Sequence, residues 1–173
     1  MKNGILNGLI AAVILSILYL LVNATSPKLN FTFLYPFIST YAVYLVFMIR
    51  AGKQESTADK PYGFGDALIP AMICYAVASF FIAIFTFMMF NYDPMLIEYA
   101  TEASMESIES LGKLMGDQDG AMIEQMEDSQ EDIIKSFTSF GTYCINWFVS
   151  LFFPGLIFGA IAATVAKKKT ITI

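Results

Sequence analysis

Residues 67–90 read ALIPAMICYAVASFFIAIFTFMMF, a run that contains no charged side chain. A helix of this length, rising about 1.5 Å per residue, crosses the roughly 30 Å hydrocarbon core of a bilayer. Three more apolar stretches of this kind occupy residues 4–22, 31–49 and 140–166. The chain of 173 residues is 57% hydrophobic. We therefore predict an all-α, polytopic membrane protein, a single membrane domain over residues 1–173 with four transmembrane helices.

The segment between the third and fourth spans, residues 91–136, has the opposite composition. It carries twelve of the fifteen acidic side chains and only two lysines. Asp93-Pro94 is typical of an N-cap followed by the first residue of a helix. Apolar residues then recur at helical spacing, and the glycines of the stretch 116–120 favour a reversal of the chain. The sequence predicts an extramembrane acidic helical hairpin between helices 3 and 4.

The basic residues predict the orientation of the chain in the membrane. Lys28, Lys113 and Lys135 lie on the side of the acidic segment. The other seven lie on the opposite side, at Lys2, Arg50, Lys53, Lys60, Lys167, Lys168 and Lys169. Because loops rich in lysine and arginine stay in the cytoplasm, we expect both termini inside the cell. The acidic segment 91–136 then faces the periplasm or the extracellular space.

Small residues recur every four positions in the first and fourth spans, a pattern that lets helix backbones approach closely in lipid. The two rows are Gly4, Gly8, Ala12 and Ser16, and Gly155, Gly159 and Ala163. One interpretation is a contact with a second copy or another membrane protein. The other, which we favour, is packing of the first span directly on the fourth within one chain. Pro154 is expected to kink the fourth span.

The candidate binding surface is a row of carboxylates on one face of the first hairpin helix. Acidic side chains crowded on one helical face repel one another. The row consists of Glu98, Glu102, Glu106 and Glu109. A basic partner or bound cations would relieve the repulsion, whereas a solvated face is the simpler interpretation. The four spans contain no ionisable Asp, Glu, Lys, Arg or His, which argues against ion-coupled transport.

Several chemistries lack the residues that they need. The chain has no histidine and two cysteines, which argues against a metal site, a cofactor or a Cys/His nucleophile, and it has no basic nucleic-acid footprint. The stretches Gly63–Asp66 and Tyr92-Asp93 spell the two motifs of intramembrane aspartyl proteases. The third span separates these carboxylates by roughly 40 Å, so a shared-proton pair cannot form. We expect Asp66 to be the N-cap of that span instead.

The chain resembles a family of bacterial membrane proteins, domain of unknown function 4199. The resemblance rests on the loop ending in Gly63-Phe64-Gly65-Asp66-Ala67, the acidic, methionine-bearing segment 93–132, and the closing run 155–159 with its lysines. It implies four spans and an inner-membrane location, and no activity. The expected function is a non-enzymatic accessory or assembly subunit, whose partners are the lipid bilayer and a membrane protein or a second copy. A small channel or carrier for an uncharged or cationic solute is the alternative.

Overall fold

The computed structural model describes residues 1–28, 34–55, 62–115 and 130–167, with the side chains of 1–28, 38–54, 62–106 and 134–167. The long elements within these ranges are all helices. They are α1 (Lys2–Thr25), α2 (Leu34–Glu55), α3 (Phe64–Tyr92), α4 (Met95–Met115), α5 (Gln130–Thr138) and α6 (Phe140–Ala166). The turn expected between α4 and α5 lies outside the described residues.

Three of these helices, α1, α3 and α6, are long and apolar enough to cross a membrane. The helical fold class is as predicted, and the length and composition of these helices support a membrane protein. Of the four predicted spans, three are supported in this way, and α2 is not among them within the described residues. The observed helices α1 and α3 also extend beyond the apolar runs from which they were predicted, to Thr25 and Tyr92 respectively.

Helix α3 is the centre of the bundle and packs against α1, α2 and α6. Ala11, Ala71 and Ala78 are fully buried where these helices meet, and their small side chains allow close backbone approach. Larger buried side chains fill the space beside them, with the rings of Tyr44 and Tyr75 packed edge to face at 5.0 Å. Dispersion contacts across α3 therefore hold the bundle together.

One end of the bundle carries Lys2, Lys53 and Lys167 and is here named the basic end; the end that carries α4 and α5 is the acidic end. At the basic end, Asn7 is only 1% exposed and connects α1 to α2. Its Nδ2 donates to Gln54 Oε1, at 2.7 Å, and to the carbonyl of Asn3, at 2.7 Å. Side-chain hydrogen bonds of this kind stabilise contacts between membrane helices.

The start of α3 differs from the expectation. Gly63 is the N-cap, and Asp66 stands three residues later, where its Oδ2 accepts a hydrogen bond from the Gly63 N–H at 3.0 Å. Pro70 has no N–H to give to the Asp66 carbonyl, one turn earlier. The hydroxyl of Tyr62 donates to that carbonyl instead, at 3.0 Å. The backbone acceptor freed by the proline therefore keeps a partner.

At the acidic end, α4 and α5 form a cap over the end of α3. Leu96 and Ala100 of α4 are each 1% exposed and pack on Phe90 of α3. Phe137 of α5 stacks on the same ring, with centroids 5.0 Å apart. The sequence alone allows the second helix of the hairpin to run into the last span without a break. Ser139 has an extended backbone, φ −88° and ψ 114°, and separates α5 from α6.

Candidate functional site

The outer surface of α4 carries the predicted carboxylates. Glu98, Glu102 and Glu106 are exposed, whereas Leu96 and Ala100 on the other side of the helix are buried. Because residues four apart lie on one face, the three carboxylates form a continuous acidic row, here named the glutamate face. Glu109 lies within α4, and the structure describes its backbone but not its side chain. The apolar anchoring of α4 therefore orients the glutamate face away from the bundle.

Lys28 meets the glutamate face. Lys28, which follows α1, places its Nζ 2.6 Å from Glu102 Oε2 and 5.9 Å from the ring centroid of Tyr99. The hydrogen bond to Glu102, together with its negative charge, raises the pKa of the Lys28 ammonium. The side chains are 65% and 55% exposed, so water and salt screen the pair and it contributes little to stability.

The small residues of α1 face α3. A Cβ added at Gly4 would lie 2.8 Å from the carbonyl oxygen of Pro70, and one at Gly8 would lie 2.7 Å from that of Cys74. Both obstacles are backbone atoms. Ala12 is buried, and together with Ser16 it borders a shallow apolar groove of about 450 Å³ between α1 and α3.

The small residues of α6 also face α3. A Cβ at Gly155 would lie 2.9 Å from the Tyr75 ring, and one at Gly159 would lie 2.7 Å from Met72 Sδ. Ala163 is fully buried beside the start of α3. Packing of the first span directly on the fourth is therefore not what the structure shows. Both rows pack on the central helix instead, because α3 supplies a surface to each of them.

Pro154 lies inside a π-helical turn of α6, Leu151–Gly155. In such a turn the amides bond to carbonyls five residues earlier. This change in hydrogen-bonding pattern accommodates the proline, which has no N–H to donate. One turn before, Trp147 Nε1 donates to the Ala76 carbonyl of α3 at 3.1 Å. The irregular part of α6 is thus held against α3 by a side-chain hydrogen bond.

The sequence did not single out a cavity of about 290 Å³ at the acidic end. Its walls are Tyr19, Thr86, Phe90, Ser136, Phe137, Tyr143 and Asn146. Tyr19, Thr86 and Asn146 each lie six residues from the end of their helix at this side, about 9 Å along its axis. Polar residues at equal distances from the ends of three spans indicate that a polar site could form at that depth. The sequence does not show that the helix faces carrying these residues meet.

Within the described ranges, no three His, Cys, Asp or Glu side chains are grouped so that they could hold a metal ion. No curated protein and no solved structure matches the chain. A family model described as "Protein of unknown function (DUF4199)" matches residues 2–168. Since this match covers nearly the whole length, the chain belongs to the DUF4199 family.

Proposed function

We propose that the protein is a non-enzymatic accessory or assembly subunit that binds a basic partner through the glutamate face. The observation that carries the proposal is the two-sided structure of α4. Leu96 and Ala100 attach the helix to Phe90, so that Glu98, Glu102 and Glu106 project from a packed support. A row of like charges at four-residue spacing destabilises its own helix, and a positively charged partner removes that cost.

The proposal includes a topology in which α2 is the fourth span. Helix α2 packs against α1, α3 and α6, and its Tyr44 and Met48 are buried in the same core as theirs. By the distribution of lysine and arginine, the basic end faces the cytoplasm and the acidic end the periplasm of a bacterial inner membrane. Alkaline phosphatase fused after residue 115 is then active, and the same reporter fused after residue 167 is inactive. The reverse pattern contradicts this topology.

Crosslinking in native membranes tests the binding role. A photoreactive residue replaces Met95, which is exposed beside the glutamate face. A discrete adduct is expected in the otherwise unchanged chain, and its yield should fall with added salt because the contact is electrostatic. The triple variant Glu98→Gln, Glu102→Gln, Glu106→Gln should lose most of the adduct.

Lys28→Gln is the matched control, because it removes the ammonium that pairs with Glu102 and leaves the three carboxylates in place. The adduct should be kept or strengthened in this variant. An adduct that survives the triple substitution and is indifferent to salt contradicts the proposal, and so does a protein that is monomeric and without adducts in its own membrane.

A channel or carrier for an uncharged or cationic solute is the second candidate, because the acidic end contains a polar-walled cavity. The packing toward the basic end argues against an open pore, because Met48 and Tyr75 fill the space between the helices there and are almost completely buried. Solute flux into liposomes that is abolished by the same triple substitution would favour this candidate over the subunit.

A further inference from the structure

The cavity at the acidic end is lined by several polar side chains. Thr86 of α3 and Tyr143 and Asn146 of α6 line it, and no described residue forms a hydrogen bond with any of these three side chains. Thr86 and Tyr143 are half-buried and Asn146 is exposed, so in a membrane these side chains meet lipid rather than water, where an unpaired polar group costs free energy. A polar occupant of the cavity would therefore be stabilised by all three.

The depth of the cavity matches the boundary between lipid headgroups and hydrocarbon. Helix α3 has 29 residues and is about 43 Å long, roughly 13 Å more than the hydrocarbon core. Centred in the bilayer, it extends about 6 Å beyond the core at each end. Thr86 lies about 9 Å from the end of α3, only a few ångströms inside the hydrocarbon. This level is reached by the glycerol and ester groups of a lipid.

The walls of the cavity favour an uncharged group. None of its lining side chains is ionised at neutral pH, since they are hydroxyls, one amide and aromatic rings. The rings of Phe90 and Phe137 supply an apolar wall. Hydroxyl and amide groups donate to and accept from hydroxyl and ester oxygens alike, whereas an ionic headgroup would lose its hydration without gaining a counter-charge.

Asn146 connects the cavity to the outer surface of α6. It is exposed, and Val149 and Phe153, which follow it toward the middle of the membrane, are 56% and 74% exposed. Spacings of three and seven residues keep these side chains near one face of a helix. An acyl chain that leaves the cavity at Asn146 would thus continue over an apolar surface.

We propose that this cavity binds the uncharged, hydroxyl-bearing head of a membrane amphiphile, such as an acylglycerol, with its chain along Val149 and Phe153. The site is separate from the glutamate face and does not depend on partner binding there. Tyr143, Thr86 and Asn146 hold the head through hydrogen bonds, and Phe90 and Phe137 enclose it.

Native mass spectrometry of the purified chain in detergent, titrated with monoolein, tests this assignment. One monoolein per chain is expected. Tyr143→Phe keeps the ring that packs on Phe87 and removes only the hydroxyl, so its affinity should fall up to about tenfold, the worth of one hydrogen bond. Asn146→Leu should weaken binding at least as much. Thr164→Val, which removes a hydroxyl from the exposed surface near the other end of α6, is the control and should bind normally.

Two further ligands test whether the cavity requires both an acyl chain and an uncharged head. Glycerol supplies the same hydroxyls without a chain, and lysophosphatidylglycerol supplies a chain with an anionic head. Monoolein should bind in preference to both. Unchanged monoolein binding in Tyr143→Phe and in the Thr86→Val, Tyr143→Phe double variant overturns the proposal, even if Asn146→Leu fails to fold. Equal binding of glycerol, or of the anionic lipid, overturns it as well, the former indicating a site for small solutes or water.

Discussion

At the basic end the helices meet through glycine, alanine and directed hydrogen bonds, whereas at the acidic end they meet through aromatic rings around a cavity. Gly4 and Gly8 bring the backbone of α1 against that of α3, and Asn7 is hydrogen-bonded to Gln54 of α2. At the other end Phe90, Phe137 and Tyr143 pack with space between them. Large rings cannot approach as closely as small residues. The helices therefore approach one another more closely at the basic end than at the acidic end, where a cavity is left between the rings.

The largest expected effect lies in the close contact of α1 with α3. Gly8→Ala places a Cβ 2.7 Å from the Cys74 carbonyl, and because a backbone atom must move, the unfolding free energy should fall by about 3 kcal/mol. Gly65→Ala is the control, since nothing lies within 4 Å of its added Cβ, and it should be neutral or stabilising. Denaturant titration in detergent measures both. Equal effects of the two variants would show that the close approach of Gly8 to the α3 backbone does not stabilise the bundle.

A second variant examines hydrogen bonding at the basic end. Tyr62→Phe leaves the Asp66 carbonyl, opposite Pro70, without its donor, and should cost about 2 kcal/mol. Pro70→Ala restores a backbone N–H at that position. In a double-mutant cycle the cost of Tyr62→Phe should therefore shrink in the Pro70→Ala background. Additive costs would show that the hydroxyl does not compensate for the proline.

A third variant loosens the cap. Phe137→Leu removes the stacking on Phe90, and we expect a loss of about 1 kcal/mol. Hydrogen exchange should rise in α4 and α5 and stay slow in α1 and α3, because the cap opens without the bundle. A uniform rise over all helices would mean that the two ends unfold as one unit.

The smallest effect is expected at the surface pair of Lys28 and Glu102. Lys28→Gln should leave the free energy of unfolding unchanged within experimental error, since both side chains are largely exposed. The pKa of Lys28 is raised in the folded chain, so whatever the pair contributes is present at neutral pH and is lost only as the pH rises through that raised pKa. A clear destabilisation at neutral pH would show that the cap depends on this pair.

Individual helices show how much of the fold could be predicted from the sequence. The apolar runs predicted α1, α3 and α6 to within a few residues, because hydrocarbon length and composition are local properties. Asp66 was expected to be the N-cap, yet the helix begins earlier, at Phe64, because the carboxylate reaches back to Gly63 from the third helical position. The break at Ser139 was missed because the helical pattern continues across it.

By itself, the sequence determined that the chain forms long apolar helices of membrane-spanning length and a separate acidic helix, since these properties follow from the order of residue types along the chain. Only the tertiary structure decided that both small-residue rows pack on α3, that Tyr62 supports the turn before Pro70, and that Thr86, Tyr143 and Asn146 share one cavity. The physical reason is that a helical pattern specifies which residues share a face. Which faces meet depends on close packing among all the helices at once.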